Sequence, residues 1–394
     1  MRFLHTSDWH VGKPIKSIKR DAEYAAALAE VLDIAKRERV DCILVAGDIF
    51  DSVAPPPEAE RIVFDFLREL IAEQIPAVMI AGNHDNPRRL SAFARVLEMV
   101  DLHVRAEPQI DGALIVEVAS RDKEECAIVA ALPWVPERKV QDFDKLWFGD
   151  EKFSQYAQGV AGAMKHLAKS FRSDRVNILM SHVLLDDSKI ADVDRGERAL
   201  HTGIAYTLPR ALLPAKPAPQ YIALGHVHMP QEFPLANAYY SGSLLQVDFG
   251  EAGQEKRVNI VDISPGQRAR VEHAPLKSIR QLRNLGTAKA GVTLEAVEAL
   301  AAEVGDAYLK VFLKADRPAP GLAQQVREIA PNAVQIETVR ETSEEDDVLD
   351  FDVHRESPAE AFTAYYRGVH AGNEPPAELM ALFNRLYEEV DASG

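Results

Sequence analysis

Cysteine is nearly absent from the 394-residue sequence: Cys42 and Cys126 are the only two, both in apolar surroundings. With no C-x-x-C pair, neither a disulfide framework nor a thiolate zinc site fits. The two read as small core residues of a reducing compartment. Long apolar runs are missing as well. None approaches the roughly 18 residues that a membrane span needs. The chain passes almost directly into "FLHTSD" without the charged, apolar and small-residue steps of a secretory signal. A cytoplasmic protein without a membrane segment is therefore expected. Positive charge is in deficit too: 45 Lys and Arg against 61 Asp and Glu give a net charge of −16. Taken alone, that argues against nucleic-acid binding. The deficit is uneven, however. Residues 341–394 hold fourteen Asp and Glu against three Lys and Arg, net −11, which leaves −5 for residues 1–340. The acidity belongs largely to the tail, and the body stays open to a polyanion if it carries metal ions.

What is present is an ordinary globular composition, 47% hydrophobic and 27% charged, with length for two or three domains. The first 250 or so residues alternate short apolar runs with helical spacing, the mark of an α/β architecture. Strand-like runs occur at 2–8, 42–48, 77–83, 176–182 and 221–228. Between them Tyr24, Ala27, Leu28, Val31, Leu32 and Ala35 fall on one helical face. After "APPPE", so do Ile62, Val63, Phe66, Leu67, Leu70 and Ile71. Leu90, Phe93, Leu97 and Val100 repeat the spacing. Strands buried on both faces and split by helices predict a sheet covered by helices. From about Val258 the pattern changes to a hairpin around Pro265-Gly266, then helix, strand, helix and strand up to Arg340. An acidic linker follows, and then two closing helices. The first of these starts at the capping box Ser357-Pro358-Ala359-Glu360. The segment 184–203 fits no element.

All five strand-like runs end alike, in Ser or Gly followed by a metal-ligand type: Ser7-Asp8, Gly47-Asp48, Gly82-Asn83, Ser181-His182 and Gly225-His226. Two add a partner two residues on, His10 and His228, on the same face of an extended segment. Any one of these is weak; Gly-Asn-His-Asp by itself is more simply a turn. Their joint recurrence is not accidental, because ligands of covered sheets bind beyond the carboxyl ends of strands. The donor set is carboxylate, imidazole and amide oxygen without thiolate. That set suits Mn²⁺ best, with Mg²⁺, Fe and Zn²⁺ compatible.

The ordered set "SDWH", "GDIFD", "GNHD", "SH" and "GHVH" resembles the calcineurin-like metallophosphoesterases. The contexts "LHTSDWHVGK", "VAGDIFD", "ALGHVHMPQ" and "YYSGSLLQVDFGE" narrow the resemblance to the SbcD family, bacterial nuclease subunits that work with an SbcC-type ATPase. The resemblance covers essentially the whole chain. It implies a metallophosphoesterase core of sheets flanked by helices at 1–275 and a small α+β capping domain at 276–340. An acidic linker at 341–356 and a helical hairpin at 357–391 that docks the ATPase complete it. It also implies two divalent metal ions: Asp8, His10 and His228 on one, Asn83, His182 and His226 on the other, and Asp48 bridging. His84 would face the phosphate as the catalytic acid, with Asp51 orienting it. The implied activity is double-strand 3'–5' exonuclease and single-strand or hairpin endonuclease in DNA end processing, repair and recombination. The implied assembly is a homodimer of this protein within a heterotetramer. The alternative is a phosphodiesterase or phosphatase for a small phosphoester on the same fold; a scaffold without catalysis is disfavoured by the complete ligand set.

Two further groups carry expectations. Lys13, Lys16, Lys19 and Arg20, just past Asp8 and His10, are candidate DNA-backbone contacts. In the tail, Phe362, Tyr365, Tyr366 and Val369 form one apolar stripe and Leu379, Leu382, Phe383 and Leu386 a second, candidates for docking the ATPase partner.

Overall fold

The computed structural model describes residues 1–108, 113–136, 139–140, 156–190, 207–315, 321–339, 362–363, 366–367 and 373–383. Strands and helices are numbered in chain order. The run "CILVA" shows how the layers arise. In β2 (Cys42–Ala46) all five residues are buried, with Ile43 and Val45 on one face and Cys42, Leu44 and Ala46 on the other. Period-2 alternation with no polar face demands cover on both sides.

One face meets helices. β1 (Arg2–Thr6), β2, β3 (Ala77–Ile80) and β4 (Leu102–Arg105) pair in parallel, Phe3 against Cys42 and Ile43 against Ala77. The connections are α1 (Asp21–Arg37), α2 (Pro57–Ala72) and α3 (Pro87–Glu98). Tyr24, Leu28 and Val31 of α1 and Ile62, Val63, Phe66, Leu67 and Leu70 of α2 pack on Leu4, Ile43 and Val45. α2 starts with Pro at its first position, and Asn86 caps α3 by accepting from Arg89 N at 3.2 Å. Two residues expected in the core are not there. Ile71 and Val100 are each 40% exposed, the first at the end of α2 and the second just past α3, where the stripe has turned off the sheet.

The other face of β2 meets a second sheet, as the sheets flanked by helices of the family resemblance imply, where the burial pattern alone read as a sheet covered by helices. β5 (Ile115–Ala119), β6 (Cys126–Leu132), β7 (Val176–His182), β10 (Tyr221–Gly225), β11 (Gln231–Phe233) and β12 (Ala238–Tyr240) form it, in the order β11-β12-β10-β7-β6-β5. Phe3, Leu44, Val78, Ile80, Val129, Ile178, Met180 and Ala223 interleave between the two sheets. α4 (Tyr156–Ala168) covers the outer face of the second sheet. A strand buried between two sheets and one buried between sheet and helix read alike in sequence. The five strands that end in candidate ligands thus divide: β1, β2 and β3 in one sheet, β7 and β10 in the other, parallel within each. β8 (Leu184–Leu185) pairs with β9 (Thr207–Leu208), so the start of the unplaced segment is half of a two-stranded ribbon.

The expected hairpin is β13 (Arg257–Asp262) and β14 (Arg270–Pro275), antiparallel, with β13 bonded to β1. A third sheet follows, all parallel: β15 (Leu282–Leu285), β16 (Tyr308–Lys314) and β17 (Ala333–Val339). α5 (Leu294–Glu303) and α6 (Leu322–Ile329) supply Val297 and Val326 to its own small core. A second cluster, Ile15, Phe249, Leu282 and Tyr308, joins this sheet to the loop after β1, and 1–339 form one compact unit. Residues 340–394 are a separate unit. Within it Phe362 stacks on Phe383, centroids 4.4 Å apart at 13°, and Arg367 pairs with Glu374. Leu382 is 42% exposed. Tyr365, Val369, Leu386 and the acidic linker lie outside the described residues. No described helix is long and apolar enough to cross a membrane.

Candidate metal centre

The turns at the strand ends are bent into conformations that cost energy. Asp8 (φ 49°), His10 (φ 48°), Asp48 (φ 52°) and His226 (φ 96°) all occupy positive φ. Strain concentrated on four candidate ligands is typical of a site whose geometry the fold over-determines. The small residues before the ligands have a steric reason. A Cβ on Gly47, itself at φ +93°, would stand 2.4 Å from His182 Nδ1. One on Gly225 would stand 1.9 Å from Ala46 O. Only glycine lets the two sheets bring these turns together.

The seven residues expected as ligands converge. His10 Nε2 lies 3.1 Å from His228 Nε2, with Asp8 in the same cluster. Asn83 Oδ1 lies 3.0 Å from His182 Nε2 and 3.1 Å from His226 Nδ1. Asp48 Oδ2 stands between the two groups, 3.3 Å from His182 Nε2 and 3.6 Å from His10 Nε2. Asp8 is steadied by Ser7 Oγ at 2.6 Å and by His226 N at 2.9 Å.

The donor chemistry fits cations. His182 Nδ1 is 2.9 Å from Ala46 O, which can only accept, so Nδ1 carries the hydrogen and Nε2 offers a lone pair. That lone pair faces Asn83 Oδ1 and a carboxylate, both acceptors. His228 Nδ1 is 2.8 Å from Glu251 Oε1, which leaves its Nε2 lone pair facing His10 Nε2, and His10 Nδ1 sits at an ion-pair distance of 3.5 Å from Asp51 Oδ1. Acceptors gathered this closely repel unless positive charge sits among them. Protons feel the same field. Burial works against a charged His182, but Asp48 outweighs it and raises the imidazole to about 9. Burial likewise opposes ionisation of Asp48, yet His182 and His10 hold its carboxyl well below the usual range.

His84 and Asp51 are also at this edge, with a different division of labour from the one expected. His84 Nδ1 lies 2.8 Å from the main-chain O of Asp51, not from its carboxylate. The Asp51 carboxylate faces His10 and, at 3.4 Å, Lys13 Nζ. Burial would raise it, but His10 and Lys13 bring it down to about 2. Asp51 thus orients His84 through the backbone. The His84 ring meets His10 edge-on, centroids 4.8 Å apart, and His84 N donates to Asp48 Oδ1 at 2.9 Å. His84, His10 and Asp48 also offer ligand atoms within 4.8 Å of one another.

Among the basic candidates, Arg20 is corrected. It is 2% exposed, its Nη1 donates to Gln246 O at 2.5 Å and its Nη2 to Glu23 at 2.7 Å. Packing from a segment far away in sequence has turned a nominal surface cation into a brace. Lys16 and Lys19 are exposed, and Lys13 is half-buried beside Asp51.

Three residues at the site were not singled out from the sequence. Asp85 accepts from Gly82 N (2.8 Å), Ile49 N (3.1 Å) and Phe50 N (3.0 Å), tying the Asp48 and Asn83 turns together. Trp134 stacks on His226 with centroids 5.4 Å apart. Glu251 meets His228. Of these, Asp85 left a signal as the acidic end of "GNHD" and Glu251 as the acidic end of "YYSGSLLQVDFGE"; Trp134 left none.

The model of the calcineurin-like phosphoesterase family matches residues 1–230, and that of the type 5 capsule protein repressor C-terminal domain matches 257–370. The chain is 35% identical over 403 residues to the SbcD component of the SbcCD nuclease of Bacillus subtilis (strain 168), covering 100% of both chains. It is 30% identical over 288 residues to the SbcD component of the SbcCD nuclease of Staphylococcus epidermidis, covering 72% of this chain and 71% of that one. Among solved structures, a dimetal phosphatase from Danio rerio aligns with 69% of this chain and 98% of its own at 11% identity and a TM-score of 0.35.

Proposed function

Because the chain belongs to the calcineurin-like phosphoesterases and, within them, to the SbcD family of nuclease subunits, we propose that it is a two-metal DNA nuclease. Metal-dependent hydrolysis of phosphodiester bonds comes with the family. The finer reading is a double-strand 3'–5' exonuclease and single-strand or hairpin endonuclease, using Mn²⁺ and acting with an SbcC-type ATPase in the cytoplasm. The observation that carries the reading is the convergence of Asp8, His10, Asn83, His182, His226 and His228 around Asp48.

Bound divalent ions supply positive charge and Lewis acidity at the phosphoryl group. The chain supplies the rest. His84 Nδ1 is committed to Asp51 O, so Nε2 is the ring atom left to hold a proton for the departing alkoxide. Lys16 and Lys19, exposed in the loop between β1 and α1, are suited to backbone phosphates. Residues 276–340 act as the capping domain. Support for pairing of two copies comes from apolar side chains left open around α2 and α3, with Val96 66%, Met99 83% and Phe64 38% exposed. The apolar residues of 357–391 are assigned to the ATPase partner.

The test is Mn²⁺-dependent cleavage of linear duplex DNA beside a chromogenic phosphodiester. Asp48→Ala serves as the control, and DNA cleavage is measured with and without an SbcC-type ATPase and ATP. Cleavage of both substrates, lost in Asp48→Ala with the fold retained, is expected. Activity on the small ester alone would replace the nuclease with a small-phosphoester enzyme.

A further inference from the structure

Glu251, the last residue of the "YYSGSLLQVDFGE" context, and Lys256 just past it have been given no role so far; both lie in the loop between β12 and β13. Both are buried, 3% and 1% exposed. An isolated buried ion pair is a poor stabiliser, because desolvating both charges offsets their attraction. This pair is built for something more specific. The carboxylate's two oxygens are used differently. Among the described residues, Oε2 takes the anchoring contacts: Lys256 Nζ at 2.6 Å, Ser243 Oγ at 3.2 Å and Val247 N at 3.3 Å. Oε1 faces His228 Nδ1 at 2.8 Å. Lys256 Nζ also donates to His228 O at 2.9 Å, so one cation fixes both the carboxylate and the main chain of the histidine it serves. The loop is itself held rigidly. Asp248 caps the short turn Phe249–Glu251 through Gly250 N at 2.8 Å, and Phe249 is buried against Ile15, Leu282 and Tyr308.

From this geometry we propose that Glu251, clamped by Lys256, is a positioning residue that sets the tautomer and aim of His228. An ionised carboxylate only accepts, so Nδ1 must carry the hydrogen and Nε2 must present its lone pair toward His10 Nε2. Carboxylates behind ligand imidazoles commonly do this, and losing one costs about 10–100-fold in metal affinity. The proposal rests on the dimetal reading above. It adds that only the ion held by Asp8, His10 and His228 depends on Glu251; in the other group His182 is braced separately, by Ala46 O.

Glu251→Gln keeps the shape but removes the charge. Titration calorimetry of the metal-free protein with Mn²⁺ should show two ions in the wild type. In the variant, one site should weaken by about 10–100-fold while the other is unchanged. Long-range ¹H–¹⁵N spectra of the metal-free wild type should show His228 protonated at Nδ1, a readout that loop stabilisation alone does not move. A folded variant with both affinities unchanged, or a neutral wild-type His228 protonated at Nε2 instead of Nδ1, overturns the proposal. If the variant does not fold, the wild-type tautomer decides. A wild type that binds fewer than two ions removes the dimetal reading instead.

Discussion

Asp85→Ala should cost this protein more stability than any surface change near the site. Asp85 is 3% exposed and accepts three main-chain N–H groups from two different turns, those of Gly82, Ile49 and Phe50. A buried donor left without a partner costs about 1–3 kcal/mol, so three unpaired donors cost about 3–9 kcal/mol before relaxation. Two effects reduce this. The cavity left by a carboxylate among polar groups can admit water. The carboxylate is also a costly resident, since burial and the neighbouring Asp48 charge raise it to about 6. The net expectation is about 2–4 kcal/mol. Asp85→Asn keeps one acceptor oxygen and turns an NH₂ toward a donor, for roughly half that loss. Urea unfolding of metal-free protein, followed by circular dichroism, gives the magnitude. Mn²⁺ affinity should fall as well, because the tied turns carry Asp48 and Asn83. Stability of Asp85→Ala within about 0.5 kcal/mol of wild type would refute the view that these three bonds hold the turns together.

Other expectations can be checked separately. His84→Ala should keep both metal ions and slow phosphodiester cleavage by roughly 10²–10⁴; loss of an ion on metal analysis would make His84 a ligand. His5 is fully buried, its Nδ1 2.9 Å from Tyr221 Oη, and burial pushes it down to about 3. Below pH ~6.5 the unfolded chain takes up a proton that folded His5 refuses, so stability should fall by up to ~1.4 kcal/mol per pH unit towards pH 3. The stability difference between wild type and His5→Gln in metal-free protein should therefore shrink by about 2 kcal/mol from pH 7 to pH 5; a pH-independent difference would contradict it. A chain ending at Asp352 should keep Mn²⁺-dependent cleavage and lose an SbcC-type ATPase in pull-downs; undiminished capture would place the docking surface elsewhere.

The candidate ligands stand out in the sequence because they belong to a local pattern, an apolar run closed by a small residue and a donor, with a second donor two residues on in two cases. That pattern survives whichever sheet the strand joins. The layering was not legible in the same way. Leu44 and Ile178 are buried because sheet packs on sheet, whereas Ile43 is buried because a helix covers it, and both environments select the same aliphatic residues. The position of the cations was misleading for a related reason. Arg20 follows three lysines and looks like their continuation. Its environment is fixed by Gln246, 226 positions away, which no local periodicity encodes.

The same distance argument separates the donors from the residues that aim them. A metal donor must sit at a strand end, so strand prediction finds it. A residue that orients a donor needs only to reach one nitrogen, and any element can supply it. Here His182 is braced by the main chain of β2, His84 by the carbonyl of Asp51, His10 by the Asp51 carboxylate and His228 by a glutamate 23 positions downstream. Two of these four braces are main-chain carbonyls, which carry no side-chain identity for a sequence to display. The third is a known motif residue acting on a histidine other than the one expected. Only Glu251 is a distinct side chain, and it sits in a turn whose sequence, "DFGE", is shaped by capping and by the burial of Phe249. In this fold, therefore, the charge of the centre follows from local sequence, whereas the tautomers that make that charge usable are set by long-range packing.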